Sequence, residues 1–490
     1  MKLSVKPNLA NAKAILDSNG YSLYDPYQIE GVEWLCNREL NCNPKGGLLC
    51  DEMGLGKTIQ ILSMMLVNKF KNTLIVMPAN LIGQWQSEIK KFLGDTLNII
   101  VHHGSKMKDP TILDNHKLNV VISSYGLLAR NSNSILHSIC WDRIILEECH
   151  LIRNSKSQTA KSVYRLQGKY KWGITGTPVH NSMNDLYSIF KFFGIDKSIV
   201  KKYKSTITKK WILRRTKKDL EGFNKSLYIP KLEVEHHTIN YDSKEEELFY
   251  NKVKNDVKKN VASMREFEFN MVHILELLLR LRQACIMPQL VLDGYSKKWN
   301  RSYKDWNYSN TKLDYVVKHV TTNSAKERPI IFAQFKKEIA YLEMKLLNNN
   351  MKVERIDGSK SLQDRNDIIS RCKDVVDKED KNYVDVIIIQ IDSGSTGLNL
   401  QMFNAIWFTA IIWNPAIEMQ AIARSHRLGQ SSKVIVRKVI MSSKNKTIEE
   451  KIIGSQDIKR ELMADILNDS RLKSRYKRKM TIRSALSLLR

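Results

Sequence analysis

The sequence predicts an α/β protein in which two lobes, each built on a parallel β-sheet, are separated by helical insertions. Three observations predict this fold class. Short apolar runs alternate with segments of helical period between residues 46 and 175, helical patterning replaces them from residue 185 to about residue 287, and similar runs return from residue 329. Runs that are apolar on every side chain are typical of strands buried on both faces, as in parallel sheets covered by helices.

The first lobe is predicted from five apolar runs, each followed by a turn and a helical segment. They comprise residues 47–50, 73–77, 119–123, 143–146 and 172–175. In the middle region, Ser243 and Glu246 have the spacing of a helix-capping box, and residues 266–285 carry a strong apolar face. The second lobe is predicted from the runs 329–333, 384–390, 405–409 and 433–437.

The charge balance predicts a polyanionic partner. The 490 residues include 79 Lys and Arg against 51 Asp and Glu, which gives a formal net charge of +28. Nucleic acid is the first candidate, because phosphates neutralised by basic side chains release counterions, whereas an anionic membrane surface and an acidic protein stay open as alternatives. Seven scattered cysteines without a C-x-x-C pair favour a reducing intracellular compartment, and we expect no membrane-spanning segment.

Residues 48–58 place a strand, a glycine-bearing turn and a helix in the order that a phosphate-binding loop requires. Backbone N–H groups at the helix start would cradle phosphates, Lys57 would meet the β and γ charges, and Thr58 would ligate Mg²⁺. The general pattern has glycine where this chain has Asp51, so a plain turn is the alternative. The predicted ATP-binding residues of this loop are Asp51, Glu52, Met53, Gly54, Leu55, Gly56, Lys57 and Thr58.

A second candidate group follows the apolar run 143–146 and consists of Glu147, Glu148, Cys149 and His150. Carboxylates at the end of a strand beside a phosphate loop can hold hydrated Mg²⁺ and orient an attacking water. We therefore expect Glu147 to face the metal and Glu148 to polarise the water. Two acids at a strand end can also be merely solvated, which is the alternative.

Two further groups complete the candidate site. Thr175, Gly176 and Thr177 lie at a strand end and suit a turn that senses the nucleotide, although a plain turn is an equal alternative. Arg424 and Arg427 are three residues apart, a spacing that predicts one shared helix face. Arginines in such a position would stabilise the charge that develops on a γ-phosphate.

Taken together, these blocks resemble the Swi/Snf-type chromatin-remodelling ATPases, a branch of helicase superfamily two, over about residues 21–467. The matching blocks are residues 24–34, 51–60, 175–178, 213–219, 279–285, 397–401, 413–415 and 424–430. In that family Asp51 is the normal residue at its position, and Gln28 matches the glutamine that reads adenine. Among the members, the short motor-only form is most similar to the baculovirus global transactivators.

The resemblance implies two RecA-like lobes that bind ATP and Mg²⁺ in a cleft and move along double-stranded DNA. Movement would pull on one phosphate backbone without separating the strands, and so displace DNA-bound proteins. Gly397 lies in a matching block and Gln420 lies four residues before another; both are expected, with the turn at Thr175, to couple the nucleotide to movement. The resemblance also implies transcription partners and a nuclear location, in a host nucleus if the protein is viral.

The same resemblance implies a division of the chain into five parts. These are an N-terminal extension (1–20), a first ATP-binding lobe (21–235) with a helical protrusion at about 185–235, a helical linker with a second protrusion (236–308), a second lobe (309–468) and a basic tail (469–490).

The chain departs from the family pattern at four positions. The family has Asp-Glu-x-His where Glu147 begins the present motif, and the extra methylene would shift the carboxylate that accepts a Mg²⁺-bound water. Ala410 and Ala423 replace Asp, and Ser395 replaces Gly. Slow hydrolysis is therefore one hypothesis, although Lys57 and the other groups expected to touch phosphate and water are retained.

A basic cluster predicts where DNA is bound. Residues 201–218 contain nine basic residues and no acidic one. The DNA-backbone candidates are Lys209, Lys210, Lys217 and Lys218. Arg214 and Arg215 belong to a structural motif of the family, so we assign them support, and residues 473–479 of the tail suit either a nuclear import signal or a DNA contact.

Three functions follow in order of preference. The first is an ATP-dependent double-stranded DNA translocase that acts on DNA-bound proteins. The second is a regulator that binds ATP and DNA with little hydrolysis, motivated by Glu147, Ala410 and Ala423. The third, less favoured, is a strand-separating helicase.

Overall fold

The computed structural model describes residues 7–456, except 105–106, 112, 114–116, 131–133, 180–182, 221–228, 264–270, 376, 392–397, 428 and 455. The predictions for Ser395, Gly397 and the basic tail 469–490 therefore lie outside the described residues. The chain divides between residues 228 and 229 into two compact units, called unit 1 and unit 2. No helix among the described residues is long and apolar enough to cross a membrane.

Unit 1 is built on seven parallel strands in the order β3-β4-β2-β5-β6-β1-β7. The strands are β1 (Gly46–Leu49), β2 (Asn72–Met77), β3 (Leu97–His102), β4 (Leu118–Ser124), β5 (Trp141–Glu147), β6 (Gly168–Ile174) and β7 (Ile212–Leu213). The helices are α1 (Ala10–Ser18), α2 (Tyr27–Asn41), α3 (Lys57–Val67), α4 (Ile82–Leu93), α5 (Tyr125–Arg130), α6 (Gln158–Tyr164), α7 (Met183–Phe192), α8 (Lys197–Lys202) and α9 (Lys204–Trp211).

Unit 2 is built on six parallel strands in the order β10-β11-β9-β12-β13-β8. The strands are β8 (Leu232–Ile239), β9 (Pro329–Ala333), β10 (Val353–Ile356), β11 (Val386–Gln390), β12 (Ala405–Phe408) and β13 (Val434–Met441). The helices are α10 (Lys244–Ser263), α11 (Met271–Ile286), α12 (Pro288–Trp299), α13 (Thr311–Thr322), α14 (Lys336–Leu347), α15 (Leu362–Asp374) and α16 (Pro415–Ser425).

The predicted fold class is confirmed, because both sheets are parallel and every apolar run named above overlaps a strand. The interior strands β1 and β12 are buried along their whole length, as continuous apolar runs require. In unit 1, α2, α3 and α4 contribute to one core that covers the sheet, while cores of unit 2 lie on both faces of its sheet.

The structure differs from the predicted middle region. The helical patterning expected from residue 185 to about residue 287 contains two strands, β7 and β8. Strand β8 pairs with β13 along eight residues and closes the edge of the second sheet, so unit 2 begins before the predicted lobe boundary at residue 235. Helices α10 and α11 pack in a core with Ile411 and Ile440 of unit 2.

The predicted capping box at the start of α10 is half formed. Ser243 Oγ accepts the N–H of Glu246 at 3.2 Å, as predicted. The Glu246 carboxylate instead accepts the N–H of Thr311 at 3.2 Å and its hydroxyl at 2.6 Å. A long-range partner therefore replaces the local one, and Glu246 ties α10 to the start of α13.

Candidate active site

The loop between β1 and α3 has the backbone of a phosphate-binding turn. Gly54 and Gly56 have φ values of +89° and +74°, in the left-handed region that glycine tolerates. A Cβ at Gly56 would also lie 2.4 Å from Nε2 of Gln28. Helix α3 begins at Lys57, so the unpaired N–H groups of its first turn and the positive end of its dipole can receive an anion.

Lys57 and Met53 both lie against neighbouring backbone. Lys57 Nζ donates to the carbonyl oxygens of Asp51 at 2.9 Å and Glu52 at 3.4 Å, on the inner side of the loop. The side chain of Met53 lies over Gly176, where an added Cβ would come within 2.7 Å of Met53 Cγ. The loop therefore contacts the turn that follows β6.

Gln28 supports the loop. Its side chain belongs to a buried residue, with Oε1 accepting the Tyr24 N–H at 2.9 Å. Its Nε2 donates to Tyr27 Oη at 3.0 Å and to the Leu55 carbonyl at 3.3 Å. The Tyr27 hydroxyl donates to the same carbonyl at 3.1 Å. Both ends of the Gln28 amide are thus engaged within the protein, and its role in reading adenine stays a prediction.

Asp51 forms a buried ion pair with Arg215. Its carboxylate accepts the Arg215 N–H and Nε–H, both at 3.0 Å, and the Gln60 amide at 3.1 Å. The Arg215 guanidinium also donates to Gln60 Oε1 at 2.7 Å and to the Tyr27 carbonyl. A carboxylate with no exposed surface is tolerable only when its charge is compensated in this way. Asp51 therefore anchors the loop and is turned toward Arg215.

Two other residues after β7 hold the loop as well. Arg214 Nη1 donates to the carbonyl of Cys50 at 3.0 Å and to that of Gly176 at 3.1 Å. Glu52 accepts the Lys217 N–H at 2.9 Å, and Lys217 Nζ lies 3.8 Å from Glu52 Oε1. These contacts agree with the supporting role predicted for Arg214 and Arg215.

The same contacts separate the DNA-backbone candidates into two groups. The Lys217 side chain is 11% exposed and sits at the ATP loop, which is a different environment from the open surface expected of a DNA contact. Lys209, Lys210 and Lys218 are exposed, as such contacts require.

The carboxyl ends of β1, β6 and β5 lie side by side. Ile174 at the end of β6 is in register with Leu49 of β1 and with Glu147 of β5. Glu148 then has a φ of +49°, an uncommon conformation for a residue with a side chain. This turn directs its carboxylate back toward Thr175.

Thr175 Oγ1 is the centre of a small buried network. It donates to Glu148 Oε2 at 3.2 Å and accepts the Thr177 N–H at 3.2 Å. His150 Nδ1 lies 3.1 Å from Thr175 Oγ1 and 3.1 Å from Glu148 Oε2. A proton on His150 Nδ1 agrees with these contacts, because both Thr175 Oγ1 and Glu148 Oε2 can accept it while Thr175 donates its own proton to Glu148. The network joins the ends of β5 and β6.

Cys149 is a packing residue of this motif. Its thiol belongs to a fully buried side chain, and burial raises the pKa of the thiol well above its ordinary value. A Cβ at Gly173 would lie 3.0 Å from Cys149 Sγ, so the glycine makes room for it. The raised pKa keeps the thiol protonated at neutral pH, as in structural buried cysteines.

The donor set at these strand ends fits Mg²⁺. Thr58 in the first turn of α3 supplies a hydroxyl and Glu147 at the end of β5 a carboxylate, both hard oxygen ligands. Among the described residues no three His, Cys, Asp or Glu side chains cluster as metal ligands. Two protein oxygens agree with a magnesium ion that is held mainly by phosphate and water.

In unit 2, the structure corrects the prediction for Arg427. Gln420 and Arg424 lie on α16, where Gln420 is buried, but the helix ends at Ser425 and His426 has non-helical angles of −84° and 83°. Arg427 is therefore beyond the helix and does not share a helix face with Arg424. The chain turns here because Ser425 Oγ donates to the Phe403 carbonyl at 2.5 Å.

Two more side chains fix this turn. His426 Nε2 lies 2.8 Å from the Pro230 carbonyl oxygen, and Gln430 Nε2 donates to the Gln401 carbonyl at 2.9 Å. The segment that carries both arginines is thus held by hydrogen bonds to carbonyl groups of unit 2.

An open cavity of about 690 Å³ in unit 1 was not predicted. Its lining includes four basic residues, Arg153, Lys156, Lys191 and Lys197. Arg153 Nη1 lies 3.5 Å from the carbonyl oxygen of His150, so the cavity adjoins the Glu148 motif. The basic lining suits a phosphate-bearing ligand.

Some of the residues that sequence reasoning missed have a partial signal in the sequence. Gln60 is a buried polar side chain on the mostly apolar helix α3, a pattern that signals a buried hydrogen-bond partner. Tyr27 adjoins Gln28, but nothing local indicates that its hydroxyl bonds Leu55. Arg153 and Lys191 are distant in sequence, so the cavity has no local signature.

Comparison with known proteins places two family matches on the two units. Residues 27–205 match the SNF2-related domain, and residues 311–429 match the helicase conserved C-terminal domain. Together the two matches cover more than half of the chain. The first contains the loop, Glu148 and Thr175, and the second contains Gln420, Arg424 and Arg427.

Several known proteins are similar over most of this chain. An uncharacterised ATP-dependent helicase of Mycoplasma genitalium is 30% identical over 477 residues, covering 92% of this chain and 43% of the relative. The ISWI chromatin-remodelling complex ATPase of Saccharomyces cerevisiae is 27% identical over 460 residues, covering 87% and 39%. The chain thus spans less than half the length of these two relatives.

A solved structure is also similar in sequence. The SWI2/SNF2 ATPase core of Sulfolobus solfataricus, in complex with double-stranded DNA, is 27% identical, and the match covers 96% of each chain with a TM-score of 0.39.

Proposed function

We propose that this chain, which belongs to the SNF2-related ATPases with a helicase C-terminal domain, is a DNA-dependent ATPase that moves along double-stranded DNA and remodels protein–DNA complexes. The observation that carries the proposal is the Thr175 network. It connects the predicted water-polarising carboxylate of Glu148 to the turn that Met53 of the ATP loop touches. A change in the phosphates bound by the loop can therefore be transmitted to the end of β6 through these adjacent contacts.

Different residues of unit 1 have different roles in the proposed reaction. The N–H groups at the start of α3 and the Lys57 ammonium bind the β- and γ-phosphates, and Glu148 orients the attacking water. Thr58 and Glu147 would hold a Mg²⁺ ion together with the phosphates, and the bound ion would supply charge neutralisation. Arg214 and Arg215 keep the loop in place. A role for Arg424 and Arg427 in stabilising the transferred phosphate remains part of the proposal.

Three properties support DNA as the track. The net charge is +28, Lys209, Lys210 and Lys218 are exposed, and a basic cavity adjoins the Glu148 motif. Contacts of lysine and arginine with phosphate carry no base information, so we expect sequence-neutral binding. Affinity for a duplex should fall steeply between low and physiological salt, and unchanged affinity would contradict the electrostatic basis of the proposal.

A regulator that binds ATP and DNA with little hydrolysis is the second candidate. Glu147 favours it, since its carboxylate is one methylene farther from the backbone than the family's aspartate. A displacement of about 1 Å at a reacting centre can cost on the order of 100-fold in rate. A strand-separating helicase is the third, less favoured, candidate.

One experiment separates these functions. ATP hydrolysis is measured with and without duplex DNA for the wild type, Lys57→Ala and Glu147→Asp. A translocase predicts wild-type turnover that duplex DNA stimulates and that Lys57→Ala abolishes. Stimulation that is absent in the wild type and restored by Glu147→Asp would establish the regulator instead, while stronger stimulation by single-stranded RNA would favour the helicase.

The biological setting is part of the proposal as well. The ISWI relative's name supports action on chromatin-like protein–DNA complexes. A role like that of the baculovirus global transactivators stays part of the proposal. Such a role requires a nuclear location and transcription partners. ATP-dependent release of a protein bound to duplex DNA, with Lys57→Ala as control, tests the remodelling step, and a fluorescent fusion tests the location.

A further inference from the structure

The segment that follows α12 exposes aromatic and basic side chains that the proposed function does not use. Trp299 is 60% exposed and Tyr303 is 39% exposed. Lys297, Arg301 and Lys304 are interleaved with them and are also exposed. We call these five residues the aromatic–basic surface. Large exposed rings that are grouped with cations suit a binding role better than isolated exposed side chains do.

The two rings of this surface, Trp299 and Tyr303, both neighbour Tyr295. Tyr295 and Trp299 are four residues apart on α12, so they share one helix face. The ring of Tyr303 has its centroid 6.3 Å from that of Tyr295. Tyr295 is therefore flanked by Trp299 along the helix and by Tyr303 from the following segment, which gives adjacent aromatic faces.

The segment is held in place by partly buried contacts. Gln289 on α12 accepts the Trp306 N–H at 2.6 Å and donates to Asp305 Oδ1 at 3.2 Å. Trp306 Nε1 donates to the Ser309 carbonyl at 3.0 Å, and its ring lies 5.2 Å from that of Phe249. The rings on the surface are thus presented on an ordered support, which lowers the entropy cost of binding.

The charge of the segment selects the class of ligand. Residues 297–304 contain four basic residues and no acidic one. Lys298 is paired with Glu276 at 3.0 Å. The remaining three cations belong to the aromatic–basic surface. Flat rings among cations match a polyanion that carries flat, unpaired bases.

We propose that the aromatic–basic surface binds single-stranded nucleic acid, with bases stacked on Trp299 and Tyr303 and phosphates met by Lys297, Arg301 and Lys304. Paired bases in a duplex are already stacked on each other and cannot occupy these rings. The surface is therefore distinct from a duplex track and directs the protein to duplexes that carry an unpaired segment. An apolar helix of a partner protein fits less well, because the rings alternate with charges.

The test compares full-length protein binding to labelled blunt duplex, the same duplex with a single-stranded overhang, oligothymidine and oligouridine. We expect tighter binding to the overhang duplex than to the blunt one. The double substitution Trp299→Ala with Tyr303→Ala should weaken binding of the single strands by about 10-fold or more, since each stacked base contributes on the order of 1–3 kcal/mol. Blunt duplex binding should change by less than about twofold.

Two variants serve as controls. Trp299→Phe keeps a stacking ring and should retain most of the affinity. Met344→Ala with Leu347→Ala removes exposed apolar side chains from α14 in the same unit and should change nothing. The two single strands show whether DNA or RNA is preferred, and either preference supports a single-strand surface.

Three results would overturn the proposal. These are equal wild-type affinity for blunt and overhang duplexes, an unchanged affinity of the double variant for single strands, and an acidic polyglutamate peptide that competes as well as oligothymidine. The last result would assign the surface to an acidic protein. Binding to the aromatic–basic surface does not require ATP hydrolysis, so Lys57→Ala should bind the overhang duplex normally. Failure of this proposal can therefore be distinguished from failure of the proposed ATPase function.

Discussion

The ATP loop of unit 1 and the arginine segment of unit 2 are held by different kinds of interaction. Asp51 in the loop is fixed by a buried ion pair with Arg215, and Glu52 is paired with Lys217. The segment around Arg424 is fixed by Ser425, His426 and Gln430, whose side chains bond carbonyl groups. The charged residues of the ATP loop are retained, whereas Ala410 and Ala423 in unit 2 stand where the family has acids.

This difference indicates which substitutions each site can tolerate. A buried charge left without its partner costs several kcal/mol, so the members of the Asp51 network depend on one another. Neutral hydrogen bonds to carbonyls hold a backbone turn without fixing the charges beside it. We therefore expect nucleotide binding to be robust and turnover to be the property that varies.

The largest effect should come from breaking the ion pair of unit 1. Arg215→Ala leaves Asp51 buried without its cation and should lower the free energy of unfolding of unit 1 by about 3 kcal/mol. Chemical denaturation followed by tryptophan fluorescence measures this loss. Arg215→Lys keeps a charge but loses the planar set of donors, so an intermediate loss is expected. A loss below about 1 kcal/mol for Arg215→Ala would mean that the pair is not what anchors the loop.

The second effect concerns the network that joins Glu148 to β6. Thr175→Val keeps the shape of the side chain but removes the hydroxyl that Glu148 and the Thr177 N–H bond. Turnover should fall by about 10-fold, while ATP affinity changes little, because the lost contact lies at the reacting carboxylate. Steady-state hydrolysis and nucleotide titration measure the two quantities.

A matched threonine controls for the loss of a hydroxyl. Thr208 on α9 is buried in the same unit and donates to the Lys204 carbonyl at 3.0 Å, within its own helix. Thr208→Val should leave turnover unchanged. Equal losses of turnover for Thr175→Val and Thr208→Val would mean that the Thr175 effect reflects a general loss of stability.

The sequence predicted the strands that are apolar throughout and missed those at the edges. Strand β8 alternates exposed and half-buried residues and reads as polar, because only one face of an edge strand needs to be covered. Strand β7 has two residues, too few for a periodic pattern. Parallel packing of the central strands could be predicted because burial on both faces demands continuous apolar runs.

The candidate site was predicted as a set of motifs, but not as a network. Arg215 lies 164 residues from Asp51, and no local pattern pairs them. The end of α16 could not be predicted from the local sequence either, because the hydrogen bonds of Ser425 to Phe403 and of Gln430 to Gln401 join distant segments. The residue types were enough to predict phosphate chemistry. Long-range contacts, which the sequence does not reveal, determine which of the predicted residues support the loop and which face the ligand.

Restoring an acid in unit 2 should have a smaller effect than either loss in unit 1. Ala423 is half-buried on α16, one residue before Arg424, so a carboxylate there would add negative charge near the arginine segment without full desolvation. Ala423→Asp should raise turnover by about threefold, as expected for a partly exposed ion pair worth ~0.6 kcal/mol. Ala423→Asn has the same size without the charge and should leave the rate unchanged. An unchanged rate in both variants would show that the missing acids do not limit turnover.

The smallest predicted effect is a difference in pH dependence between the two units. In unit 2, burial raises the pKa of Glu338, whose carboxylate accepts the N–H groups of Gln334 and Phe335 at 2.9 and 3.0 Å and the Thr409 hydroxyl. In unit 1, the hydroxyl and N–H of Ser198 lower the pKa of exposed Asp196.

These two shifts have opposite consequences for stability. Folded Glu338 holds its proton at pH values where the unfolded chain has lost it, so its contribution is complete below its ordinary pKa of 4.5 and falls as pH rises through the folded value. Asp196 contributes above its ordinary pKa of 3.8, and this contribution is lost as pH falls through its lowered pKa. Glu338→Gln should therefore remove the loss of stability that occurs as pH rises. The new amide does not titrate, and it can donate to Thr409 Oγ1 while Thr409 keeps its 3.0 Å bond to the Phe332 carbonyl. Thermal unfolding of the wild type, Glu338→Gln and Asp196→Asn from pH 3 to pH 8 measures both slopes; parallel curves for the wild type and Glu338→Gln would rule out Glu338 as the source of the alkaline loss.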